Sequence, residues 1–140
     1  MRISLFYDDI KYRLRKSKKA LSIIKKVIMD EKKIPGDLYF IITNDKELLK
    51  INREFLNRDT LTDVIAFDYG KEKIVNGEIY ISKDTVKRNA NNYKVSLREE
   101  ILRVMIHGTL HLCGYNDIGE EEKSIMREKE EKWIEIEKGE

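Results

Sequence analysis

The spacing of apolar positions changes several times along the chain, and each change marks an element. Residues 2–7 alternate, with Ile3, Leu5 and Tyr7 on one face, as in a strand at a sheet edge. From Ser17 the period lengthens: Ala20, Ile23, Ile24, Val27 and Ile28 form the buried stripe of a helix that ends before Pro35. Pro35 and Gly36 predict a turn between elements. Residues 37–43, DLYFIIT, form a short apolar strand. Asn44 followed by Glu47 predicts a capping box opening a second helix, with Leu48, Ile51 and Phe55 on its buried face.

Residues 64–67 and 74–81 return to strand character, the second with Gly77 as a bulge or turn. Ser82 can cap a helix carrying Val86, Ala90 and Tyr93. Ser96 with Glu99 starts another, which turns Leu97, Ile101, Val104, Met105 and Gly108 inward. Gly114 is placed to end that helix in a left-handed conformation and reverse the chain. A last helix from about Gly119 is expected to bury Ile125, Met126, Trp133 and Ile136. Strands and helices mix without regular alternation, so the expected class is α+β: a small mixed sheet packed with helices. At 140 residues, and with neither linker nor repeat, residues 1–140 read as one domain.

Composition supports a folded, heavily solvated domain, with 41% hydrophobic and 39% charged residues. Apolar runs fall far short of the roughly 20 residues a membrane helix needs. The opening MRISLFYDDI has acids where a signal peptide needs an apolar stretch, and the single cysteine, Cys113, cannot form an internal disulfide; both point to the cytoplasm. Net charge is only +2, but Lys11, Arg13, Arg15, Lys16, Lys18 and Lys19 put six bases into nine residues. Such a run can track a phosphate backbone or simply solvate a helix start.

The chain's two histidines are four residues apart, in His107-Gly108-Thr109-Leu110-His111. On a helix this spacing stacks both on one face with Cβ atoms about 5–6 Å apart, so two imidazoles can converge on one ion. The reversal at Gly114 can bring Asn116 and Asp117 back toward the histidines, with Asp117 completing a three-ligand site. Two imidazoles and a carboxylate leave a coordination position open, as a catalytic zinc requires. The bland alternative is a pair of hydrogen-bonded core histidines. Cys113 is the softer donor but lies about 200° around the helix from His111, which favours a small buried apolar role. A metallopeptidase also uses His-x-x-x-His, but it needs a glutamate after the first histidine, where this chain has Gly108.

The segment HGTLHLCGYND, with LTDVIAF at 61–67 and GEIYIS at 77–82, resembles the YbeY family of metal-dependent endoribonucleases, the ribosomal RNA maturation factors. The order of elements agrees along nearly the whole chain. The resemblance implies a single-strand-specific endoribonuclease that matures small-subunit ribosomal RNA and takes part in ribosome quality control. It implies one metal ion, usually zinc, on His107, His111 and residue 117, and the ribosome or its small-subunit components as partners. The family usually has a third histidine at the position of Asp117. It also usually has a catalytic arginine at the position of Leu56. Arg58, two residues on, is the candidate to supply that guanidinium; the alternative is a surface arginine at a helix end. A non-catalytic, ribosome-associated RNA-binding protein is the rival reading.

Overall fold

The computed structural model describes all 140 residues. The elements follow in the order β1 (Arg2–Tyr7), α1 (Ser17–Asp30), β2 (Ile34–Thr43), α2 (Asp45–Phe55), β3 (Val64–Asp68), β4 (Ile74–Ser82), α3 (Lys83–Tyr93), α4 (Leu97–Leu112) and α5 (Glu120–Gly139). The four strands form one mixed sheet in the order β1-β2-β4-β3. β1 runs parallel to β2 and β2 parallel to β4, whereas β3 closes the far edge antiparallel to β4. β1 is therefore an edge strand, as its short alternating pattern predicts.

The α1 stripe lies inward as expected: Ala20, Ile23, Ile24, Val27 and Ile28 are all buried. They join Leu38, Phe40 and Ile42 of β2, Ile79 and Ile81 of β4, and Ile101, Met105 and Leu110 of α4 in one core cluster. α4 is thus the central helix, with the sheet on one side and α1, α3 and α5 around it. No helix is long and apolar enough to cross a membrane.

Several expectations need correcting. Pro35 and Gly36 form no turn between elements; they lie inside β2, where the register with β4 shifts between Pro35 and Leu38. Proline donates nothing to the ladder, so the break is made there. The Asn76 side chain repairs it by accepting from the Asp37 amide at 2.6 Å. Gly77 lies in β4 opposite that bulge, with the Phe67 carbonyl and Leu112 crowding the space a β-carbon would take. Phe55 and Tyr93, the last residues of their helices, are 67% and 64% exposed, because each helix ends where it leaves the core. On α5 the buried face holds Met126, Glu130, Trp133, Ile134 and Glu137, while Ile125 and Ile136 face outward. Two charge partners set that rotation: Arg98 grips Glu137 through two hydrogen bonds of 2.9 and 2.7 Å, and His107 holds Glu130.

Asn44, Ser82 and Ser96 all cap their helices as expected. Asn44 accepts from the Glu47 amide at 2.9 Å and Ser96 from the Glu99 amide at 3.0 Å. The Glu99 carboxylate is itself 2.8 Å from the Lys138 ammonium, tying the start of α4 to the end of α5. Ser96→Ala removes one cap from the helix that carries the histidines. We expect it to cost about 1 kcal/mol in urea unfolding. An unchanged midpoint and slope would show that this cap contributes nothing.

Candidate metal centre

α4 delivers both histidines in its last two turns, facing the β3 edge of the sheet. Gly108 between them lets the helix lie close: a β-carbon there would sit 3.0 Å from two side-chain carbons of Ile79. Beyond Cys113, Gly114 takes φ +108°, and the Tyr115 amide bonds back to the Leu110 carbonyl at 3.1 Å. The Tyr115 hydroxyl donates to Glu31 at 2.6 Å, which pins the returning chain to the end of α1. Asn116 does not reach the histidines; its side chain accepts from the Ile118 amide at 3.1 Å. That turn presents Asp117, whose side chain is 47% exposed, to the two rings.

The hydrogen bonds assign the tautomers. His111 Nδ1 lies 3.0 Å from the Tyr115 carbonyl oxygen, an atom that only accepts, so Nδ1 carries a proton. His107 Nδ1 lies 2.7 Å from a carboxylate oxygen of the buried Glu130 and is protonated for the same reason. Both Nε2 atoms then face each other at 3.0 Å. With both rings neutral, two lone pairs collide; one cation between them, a proton or a metal ion, removes the conflict. Asp117 Oδ2 stands 3.6 Å from His107 Nε2 and 3.9 Å from His111 Nε2. Ligand atoms on a tetrahedral zinc with bonds of about 2.0–2.1 Å are roughly 3.3–3.4 Å apart. The three separations of 3.0, 3.6 and 3.9 Å straddle that value, so the residues fit a divalent ion. Two imidazoles and one carboxylate suit zinc, and also manganese or iron(II).

The electrostatics centre on His107. Burial works against its protonation, but the hydrogen bond and charge of Glu130, with Asp117 and Asp63 behind, outweigh it and hold its pKa above the ordinary value. Burial pushes the Asp63 carboxyl up against the opposing charge of His107. It likewise raises Glu100, with Arg103 opposing. The Cys113 thiol is buried and pushed up to about 11, which fits the apolar role expected for it.

A groove of about 590 Å³ runs past the centre between the end of α2 and α4, lined among others by Arg58, Thr60, Asp63, His107, His111 and Asp117. Leu56 borders the same groove, so Arg58 and the position where the resembling family carries arginine open onto one space. The loop bearing Arg58 is fastened by Asn52, whose carbonyl accepts from the Arg58 amide at 3.0 Å and whose side chain donates to Thr60 at 2.8 Å. The basic residues 11–19 lie elsewhere. Arg98 bonds the carbonyls of Arg15 and Lys16 at the other end of α4, about 14 Å along the helix from His107 at 1.5 Å per residue.

Sequence reasoning missed Asn52, Arg103 and Glu130. The one signal for Glu130 was an acid within the apolar stripe of α5, between Met126 and Trp133.

Comparison with known proteins gives a single family. The family model described as Endoribonuclease YbeY matches residues 7–136. The Endoribonuclease YbeY of Flavobacterium psychrophilum is 41% identical over 131 residues, covering 94% of each chain. That of Christiangramia forsetii is 42% identical over 129 residues, 92% of this chain and 90% of the relative. Among solved structures, the solution structure of TM1509 from Thermotoga maritima matches with a TM-score of 0.66 and 28% identity, covering 99% of this chain and 90% of that one. Matched from residue 7 to residue 136 and aligned with relatives over nearly their whole lengths, the chain belongs to the YbeY family of endoribonucleases.

Proposed function

We propose that this protein is a single-strand-specific, zinc-dependent endoribonuclease acting in small-subunit ribosomal RNA maturation and ribosome quality control. The observation that carries this reading is the convergence of two Nε2 atoms and a carboxylate at one groove that Arg58 also lines. His107, His111 and Asp117 would hold the ion, which supplies Lewis acidity and an acidified water. Arg58 is the catalytic guanidinium: it binds non-bridging phosphate oxygens and neutralises charge that builds up on them. Asp63, on the groove wall with a pKa raised by burial, is the group that can take up or return a proton. The family relationship supports ribosomal RNA as substrate and the ribosome or its small-subunit components as partners.

The test combines metal analysis with cleavage of end-labelled RNA. The purified protein should carry about one zinc per chain. It should cut single-stranded RNA but not the same sequence in a duplex, stop when chelated, and recover with added zinc. Arg58→Ala should lower kcat by about 10²–10³ and change RNA affinity far less; Arg58→Lys should recover only part. RNA binding without cleavage would move the protein to the non-catalytic reading. Wild-type turnover in Arg58→Ala would return Arg58 to the surface.

A further inference from the structure

A second cavity of about 480 Å³ lies on the other side of His107 and shares only Asp63 and His107 with the groove. Tyr93, Val95 and Val104 give it an apolar wall, and Glu100, Arg103 and Glu130 a charged one. We propose that it is a subsite for one unpaired nucleobase beside the reacting phosphate, with Glu100 as the acceptor that selects the base. This rests on the ribonuclease reading and adds a specificity pocket to it.

Charge disfavours a phosphate in this cavity. Its wall carries four carboxylates, from Asp63, Glu100, Glu130 and Glu131. Of its two arginines, Arg103 is already within ion-pair distance of Glu99, Glu100, Glu130 and Glu131, and Arg127 is exposed to solvent. A fitting group must bring N–H donors and a flat apolar face without negative charge, and that describes a nucleobase. Tyr93 stands at the rim, 64% exposed, where its ring can stack on a base.

Glu100 is only 4% exposed, yet it takes a single hydrogen bond, from Arg103 Nε at 3.3 Å. A carboxylate offers about four acceptor sites, so most of its capacity is open to an incoming donor. Guanine presents two adjacent donors, its ring N1–H and its amino group, to match a carboxylate. Adenine and cytosine present one amino group beside an acceptor. Uracil has one N–H flanked by two carbonyl oxygens that a carboxylate repels. The expected order is therefore guanine first and uracil last.

Two measurements on the full-length, zinc-loaded protein test this. In the first, single-stranded RNAs differing only in the nucleotide on either side of the mapped cut are cleaved by wild type, Glu100→Gln and Tyr93→Ala. Wild type should prefer guanine to uracil at one flanking position by about tenfold or more in kcat/KM. Glu100→Gln should bring that ratio toward unity, and Tyr93→Ala, at an exposed position that leaves folding intact, should raise KM for every base. In the second, guanosine and uridine are titrated while the Val95 and Val104 methyl resonances are followed. Guanosine should shift them in wild type and not in Glu100→Gln, whether or not the protein cleaves RNA. Absent methyl shifts, or a base preference that survives Glu100→Gln, would overturn the subsite while leaving the nuclease standing. Methyl shifts without any cleavage would overturn the nuclease and leave a base-binding cavity.

Discussion

Replacing His111 with alanine will abolish tight zinc binding and RNA cleavage while leaving the ion-free protein almost as stable as wild type. His111 is half-exposed, its Nδ1 partner is a backbone carbonyl, and its Nε2 faces another imidazole. Its loss therefore strands no buried charge. Metal affinity should fall by more than about a hundredfold, since loss of an outer hydrogen-bond partner alone commonly costs 10–100-fold. His107→Ala should abolish binding equally but at a structural cost. It leaves Glu130, 5% exposed, without its 2.7 Å partner and with Arg103 only at 3.8 Å. That orphaned acceptor should cost roughly 1–3 kcal/mol. Thermal unfolding with chelator and with excess zinc separates the effects. Zinc should raise the wild-type Tm and neither variant's, and only His107→Ala should melt early in chelator. A zinc-dependent rise surviving in both variants would remove these histidines as ligands.

What was legible in the sequence was local. The α1 stripe, the caps at Asn44 and Ser96 and the reversal at Gly114 depend on neighbours within a turn or two, and each occurs where the pattern predicts it. The histidine pair was readable for the same reason, because four residues on a helix is a distance. The reversal at Gly114 brought Asn116 and Asp117 into view together, and only Asp117 lies beside the rings. The strand order was not readable, since it is decided by pairings such as Leu5 with Phe40 and Phe40 with Ile79 across long stretches of chain. α5 shows the limit most plainly. Hydrophobicity alone favoured Ile125 and Ile136, but Glu130 and Glu137 had partners on α4 that a linear pattern does not reveal. The buried face follows the charges, and Glu130 also lines the cavity beside His107. The basic run had the opposite fate. Arg13 lies 4.4 Å from the Tyr7 ring and bonds the carbonyls of Ile10 and Tyr12, so part of that conspicuous cluster serves its own loop, away from the groove.

Glu130→Gln should change how both stability and metal affinity depend on pH, and in different directions. Glu130 is the main reason that the His107 pKa stands above 6.5 despite burial. A raised histidine pKa gives stability that is fully present below the unfolded value near 6.5 and is lost as pH rises through the higher folded value. In the ion-free wild type, His107 should therefore make the Tm fall as pH climbs above about 6.5. Without the carboxylate, burial dominates and disfavours the charged ring, so this fall should flatten or reverse in Glu130→Gln. Asp63 and Glu100 also feel the charge of Glu130, so the titration of His107 has to be followed at its own ring. Zinc requires Nε2 free of its proton, so wild-type affinity should weaken as pH drops through the raised His107 pKa. In Glu130→Gln that onset should move to lower pH. The plateau affinity should nonetheless fall about 10–100-fold, because a neutral amide orients and enriches the imidazole less than a carboxylate does. Chelator competition across pH measures both quantities, and the His107 ring nitrogen resonances report its protonation directly. Identical onsets in the two proteins would mean that Glu130 is a packing residue whose short contact with His107 sets nothing at the metal.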